Sequence, residues 1–178
     1  MFKYITENEG LMFIIKIISI YLIWTIIRRT FTNIDVLFPY WTVFNDVFAA
    51  RYVAVSSWIL ENWFDYNVIF NKRNIIPVNT GGIYVGNHCL GISAKFIFIG
   101  IILSLKGRLL HKLWFIPLGI ATIVLINITR ITLLTIQLTK GDILLFDLNH
   151  KYTFVIIIYL IIFGFIMVWE KYFAKEKS

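Results

Sequence analysis

Residues 113–138 read Leu-Trp-Phe-Ile-Pro-Leu-Gly-Ile-Ala-Thr-Ile-Val-Leu-Ile-Asn-Ile-Thr-Arg-Ile-Thr-Leu-Leu-Thr-Ile-Gln-Leu, and Arg130 is the only charge among them. As a helix rising ~1.5 Å per residue, the segment is longer than the ~30 Å hydrocarbon layer of a bilayer and crosses it with tilt. Asn127, Arg130 and Gln137 lie three and seven residues apart. That spacing stacks them on one helix face as a polar stripe, which belongs against protein rather than lipid. An arginine at this depth costs about 2.5–3.5 kcal/mol on insertion scales. Function is one reason to retain it.

The rest of the chain resembles this segment. Apolar residues make up 59% of 178 and charged residues 15%, too little charged surface for a water-soluble globule. The fold class expected is an all-α integral membrane protein, a single domain over 1–178. It would be a bundle of about five transmembrane helices (four to six) at 11–27, 43–60, 90–105, 113–138 and 152–169. Block 11–27 contains Lys16 near one end, placed to snorkel. It is followed by Arg28-Arg29-Thr30-Phe31 rather than by small residues suited to cleavage, so it reads as a retained span and not a signal peptide. Block 43–60 is interrupted by Asp46 and Arg51. It reads as a span whose charges face the bundle, with an interfacial amphipathic helix as the alternative.

Glu61 to Cys89 is the longest polar stretch and forms an extramembrane loop. Within it, 74–78 and 83–85 flank Asn79-Thr80-Gly81-Gly82, which predicts a short hairpin. Residues 28–42, 106–112 and 170–178 hold eight Lys/Arg in 31 positions, against five in 52 for residues 1–10, 61–89 and 139–151. The positive-inside bias therefore puts the first set in the cytoplasm and the N-terminus outside. If 43–60 does not span, the N-terminus moves inside and the last three spans keep their orientation. The net charge of +7 is explained by topology and anionic headgroups, and no basic patch interleaved with exposed aromatics points to nucleic acid.

Three reactive side chains then fall on one side of the membrane: Cys89 before the third span, Arg130 in the outer half of the fourth, and His150 before the fifth. Arg130 lies eight residues from the end of its span, about 12 Å, so its side chain reaches the outer interface. A helix N-terminus and a nearby guanidinium both favour a thiolate. An imidazole supplies the base toward the thiol and the acid toward a leaving amine, and a permanent cation stabilises an oxyanion. Cys89 is the only cysteine; on its own it would read as a small buried hydrophobe. His88 is an alternative base, His111 a topology residue in the basic connection, and Lys95, Arg51 and Asp46 pairing or snorkelling groups. Three histidines and one cysteine show no metal-ligand spacing, and no cofactor is expected.

Asn87-His88-Cys89-Leu90-Gly91-Ile92, then Ile116-Pro117, Ile126-Asn127-Ile128-Thr129-Arg130-Ile131 and Asn149-His150-Lys151 together resemble the core of the exosortase/archaeosortase family over about residues 60–169. The family pattern is a cysteine followed by Gly-Ile, an Asn-x-x-Arg motif and a histidine at the mouth of a later helix. The resemblance implies a membrane-embedded cysteine protease or transpeptidase of the cytoplasmic membrane, with its active site on the extracytoplasmic side. Cys89 would be the nucleophile, Arg130 and His150 its partners, and Asn127 and Gly91 supporting residues. The implied substrates are C-terminal sorting tails of secreted proteins, each a short motif, a transmembrane helix and a basic cluster. Larger family members have more spans, so the chain looks like a short variant whose sorting motif differs from the Pro-Glu-Pro type. Two other readings stand beside it: a non-enzymatic transport or assembly component that uses the Arg130 stripe, and a lipid-phosphate enzyme in which Arg130 and His150 hold phosphate. Both would tolerate loss of the Cys89 thiol.

Overall fold

The computed structural model describes residues 9–78 and 80–174. Asn79 of the expected turn, the first eight residues and Lys175 and Lys177 of the basic tail lie outside the described residues. Helix α1 spans Glu9–Asn33 and α2 spans Phe38–Phe64; strands β1 (Val68–Phe70), β2 (Asn74–Pro77) and β3 (Ile83–Tyr84) follow. A 3-10 turn at Asn87–Leu90 leads into α3 (Ile92–Ser104), then α4 (Leu109–Thr139) and the short α5 (Ile143–Leu148). A π-helical turn at Asn149–Thr153 joins α5 to α6 (Phe154–Tyr172).

Among the described residues four helical stretches are long and apolar enough to cross a membrane: Gly10–Asn33, Asn87–Ser104, Leu109–Thr139 and Ile143–Tyr172. They pack as antiparallel neighbours, as polar bonds and close approaches along their lengths establish. Between α1 and α3, Lys16 Nζ donates to the Ser104 carbonyl at 3.2 Å, and Trp24 Nε1 donates to Ser93 Oγ at 3.0 Å. Between them Ile20 packs where a side chain on Gly100 would sit. Between α3 and α4, Lys112 Nζ donates to the carbonyls of Leu103 and Leu105. Gly119 lies against the Phe98 ring, and Gly91 meets Asn127. Helix α6 returns: Arg130 bonds to His150 near its start, and Trp169 Nε1 donates to the Lys106 carbonyl near its end. Close glycine contacts of this kind let helices approach where the apolar solvent supplies no drive of its own. The outer face of α1, with Ile14, Ile18, Leu22 and Ile26 more than half exposed, is the surface a lipid solvent accepts.

The helix covering 43–60 is present as α2 but is not one of the four apolar stretches. Asn45, Ser56 and Ser57 are buried along it and Arg51 is exposed. Its N-terminal end meets α1, with Trp41 6.2 Å from Trp24 and 5.9 Å from Phe31 between ring centroids. Its middle meets the opening of α3, where Tyr52 Oη donates to the Leu90 carbonyl. The sheet lies along it, Arg73 Nε donating to Asp46 Oδ1 at 2.5 Å. This corrects the expected topology. Residues 28–42 and Cys89 were expected on opposite faces, yet Arg28 and Thr32 line one groove with His88 and His150. The reason is that α2 and the sheet form a lateral layer at the site end of the bundle, so the chain does not change ends between Asn33 and Asn87.

The expected hairpin forms, with β2 and β3 antiparallel and Ile75 opposite Ile83. Sequence reading missed β1, which extends it to three strands through Ile69 opposite Ile76. The Asn71 side chain nucleates the reversal by accepting from the amides of Arg73 and Asn74, a turn that asparagine forms with its own following backbone. One apolar cluster gathers Tyr52, Val53, Ile75, Val85, Leu90 and Ile131 around Cys89. A second, with Phe98, Phe115, Ile123, Ile162 and Trp169, fills the space between α3, α4 and α6.

Replacing Gly119 by leucine is expected to destabilise the bundle by about 1–3 kcal/mol, the usual penalty for overpacking, because the new side chain must displace Phe98. Gly164→Ala, with nothing within 4 Å of the added carbon, is the matched control. Thermal melting of both variants in detergent checks this, with a drop expected for Gly119→Leu alone.

Candidate functional site

Three glycines set the backbone around Cys89. Gly86 enters the 3-10 turn in an extended conformation, and Gly91 leaves it at φ +61°, a left-handed geometry that costs glycine little. Any side chain at 91 would also strike the Asn127 amide, only 2.5 Å from where its first carbon would stand. A side chain on Gly82 would stand 2.7 Å from Ile76 Cγ1 and 3.0 Å from the Ile75 carbonyl. The two supporting residues expected from the motifs, Gly91 and Asn127, therefore touch each other. Asn127 is fully buried and anchors through Nδ2 to the Ile123 carbonyl at 2.7 Å.

Cys89 is buried at 6% exposure. It sits on the turn and not in the first turn of α3, from which the left-handed Gly91 separates it; the expected helix-terminal placement is corrected to that extent. The thiol lines a cavity of about 380 Å³ together with Val85, Ile131, Leu134, Phe146 and His150. His150 reaches it from the π-helical turn, its ring stacked on Phe146 with centroids 5.7 Å apart and planes 6° from parallel. Wide turns of this kind recur where a helix presents a functional group.

Arg130 is buried at 4% exposure. Its Nη2 donates to the His150 backbone carbonyl at 2.7 Å, its guanidinium carbon lies 5.9 Å from the Phe154 ring centroid, and its Nε is buried with no partner. The three expected groups thus meet through His150. Cys89 and His150 share the first cavity; Arg130 and His150 share a second, larger groove, of which His88 is also a wall. His88 does not line the Cys89 cavity, and His111 lies at the other end of the bundle with its ring 5.3 Å from Phe173. Gln137 continues the buried stripe with its Oε1 unpartnered. Among the described residues no group of three His, Cys, Asp or Glu side chains is arranged to hold a metal.

Sequence reading gave no role to Tyr52 and read Lys95 as a pairing or snorkelling group. The Lys95 ammonium donates to Tyr52 Oη at 2.6 Å and to the Leu90 carbonyl at 3.0 Å. These bonds tie α2 to the residue that follows the cysteine. The signal was available: Asn45, Ala49, Tyr52 and Ser56 recur at four, three and four residues, a polar and small stripe at helical spacing on the buried face. Arg73 secures the other flank. Besides Asp46 it donates to the Val85 carbonyl at 3.1 Å, fixing the strand end that leads to Cys89.

The chain matches no protein-family description, no curated protein and no solved structure.

Arg130→Gln removes a charge-assisted bond of about 1.5–3 kcal/mol to the π-helical turn. Backbone hydrogen exchange over 149–153 is expected to accelerate, while exchange in 92–104 stays unchanged. Arg73→Ala should speed alkylation of Cys89 by a maleimide several-fold, since the strand holding Val85 loses its anchor; mass spectrometry of the adduct over time reads this directly.

Proposed function

We propose that this protein is a membrane-embedded cysteine peptidase or transpeptidase acting on the C-terminal sorting tails of secreted proteins. One arrangement carries the reading: a buried cysteine and a histidine from separate segments line one cavity at one end of an apolar helical bundle. The motif order Cys89, Asn127, Arg130, His150, similar to that of the exosortase/archaeosortase family, supports the same chemistry.

The Cys89 sulfur attacks the scissile carbonyl while the His150 imidazole takes the thiol proton. The tetrahedral intermediate collapses to a thioester, and the departing amine receives that proton from His150. Water or an acceptor amine then adds to the thioester and restores the thiol. Arg130 is a positioning residue in this scheme, since its bond goes to the backbone of His150 and holds the turn that presents the imidazole. The apolar walls of the cavity, Ile131 and Leu134 among them, suit a substrate segment that emerges from a transmembrane helix.

The short connections at the end of the bundle opposite the cavity hold Lys106, Arg108, Lys112 and Lys171, whereas Arg28, Arg29, Lys72, Arg73, Lys140 and Lys151 at the cavity end are spread over longer segments. The positive-inside rule assigns such an end to the cytoplasm, so the cavity faces the extracytoplasmic side of the cytoplasmic membrane. Four spans then put the start of α1 in the cytoplasm, the alternative that follows when block 43–60 does not cross.

The test is co-expression with secreted proteins ending in a helix and a basic tail. Cys89→Ala should abolish tail removal, by about 1000-fold or more, and His150→Gln should reduce it by about 100-fold or more. Undiminished processing by Cys89→Ala refutes the assignment and favours a non-enzymatic or phosphate-handling role.

A further inference from the structure

The groove beside the Cys89 cavity is the larger of the two, about 610 Å³, and α1, the 3-10 turn, α4 and the π-helical turn all contribute to it. Its charged walls are of one sign. Arg28, Arg130 and Lys151 line it together with His88 and His150, and among the described residues no aspartate or glutamate does. Lys151 has a partner outside the groove, Asp147 at 2.7 Å, with both side chains about half exposed. Arg28 is exposed and makes no ion pair among the described residues. Arg130 is nine-tenths buried, yet its Nε has no acceptor.

The bond from Nη2 to the His150 carbonyl holds the Arg130 guanidinium in the groove wall as a fixed, permanent positive charge. With a second arginine and a lysine facing the same space, the acceptor that fits is a multivalent oxyanion, since guanidinium groups engage phosphate through parallel bonds. The other walls include four aromatic residues, Tyr21, Trp24, Trp41 and Tyr159. Such rings gather at the level of headgroups in membrane proteins.

We propose that this groove is a binding site for a phosphate group, held between Arg28 and Arg130 and supported by Lys151. The site is independent of thiol chemistry, as Cys89 is not among its walls. The same chemistry is offered by a phospholipid headgroup or by free phosphate, and binding measurements separate the two.

Because Trp24 and Trp41 line the groove, tryptophan emission of the full-length protein in neutral detergent reports occupancy. Titrants are inorganic phosphate, dioctanoyl phosphatidylglycerol and, as a carrier lacking phosphate, dioctanoylglycerol. A saturable change with one or both phosphate carriers and none with dioctanoylglycerol is expected. Arg28→Gln and Lys151→Gln should each weaken it, the former at least tenfold, while Arg28→Lys recovers part of the loss. Saturation by inorganic phosphate identifies a soluble anion as sufficient; saturation by phosphatidylglycerol alone identifies a headgroup. The proposal is overturned if neither phosphate carrier saturates, if dioctanoylglycerol produces the same change, or if Arg28→Gln binds as tightly as the parent protein. Thermal melting of each variant confirms that folding is intact. Tail processing by Cys89 is read separately, so failure of either assignment leaves the other standing.

Discussion

Taking a guanidinium out of water inside an apolar helix costs several kcal/mol unless every donor finds a partner. Arg130 meets that constraint in part, reaching from α4 to the carbonyl of His150 in a bond that ties α4 to the turn before α6. The bond fixes where the last helix begins, the π-helical turn sets the imidazole against Phe146, and the cavity shared with Cys89 takes its shape between them. A lysine at 130 would supply charge without the planar fork. The arginine thus ties the packing of α4 to the turn that carries His150, and among the described residues the groove it lines has only cationic and neutral walls.

The rest of the bundle is assembled by small contacts spaced along each helix pair. Gly100 admits Ile20, Gly119 admits Phe98, and the ammonium groups of Lys16 and Lys112 reach carbonyls at the C-terminal end of α3. In a bilayer, burying leucine against leucine gains little over burying it in lipid, so close packing and polar bonds decide partners. The layer formed by α2 and the three strands follows a different rule. Its apolar side covers the cysteine through Val53, Ile75 and Val85, and its polar side chains, Tyr52 and Arg73, fasten the backbone on either flank of the thiol.

Much of the helical architecture was legible because solvent imposes it: blocks of apolar residues near 11–27, 90–105, 113–138 and 152–169 all fall within helices long enough to cross a membrane. Block 43–60 was helical as expected, but its reading as a span took the charges at 46 and 51 as turned inward. Arg51 is instead exposed, and Asp46 is claimed by Arg73, 27 residues away. No local pattern announces a partner at that separation. Strand β1 was hidden for a related reason: three apolar residues carry no periodicity, and only pairing with β2 makes them a strand.

The sequence by itself determined that this chain is helical and apolar enough for lipid, that a polar stripe runs along α4, and that cysteine, arginine and histidine recur at the same ends of successive helices. Those properties are local, arising from hydropathy and helical period within single segments. Tertiary structure alone decided that α2 lies beside the site, that Arg28 joins it from the first helix, and that His150 stands between two cavities with the thiol in one and the guanidinium in the other. Each of these depends on contacts between residues far apart in the chain, where the energy of a bond or a close approach is set by geometry that no single segment contains.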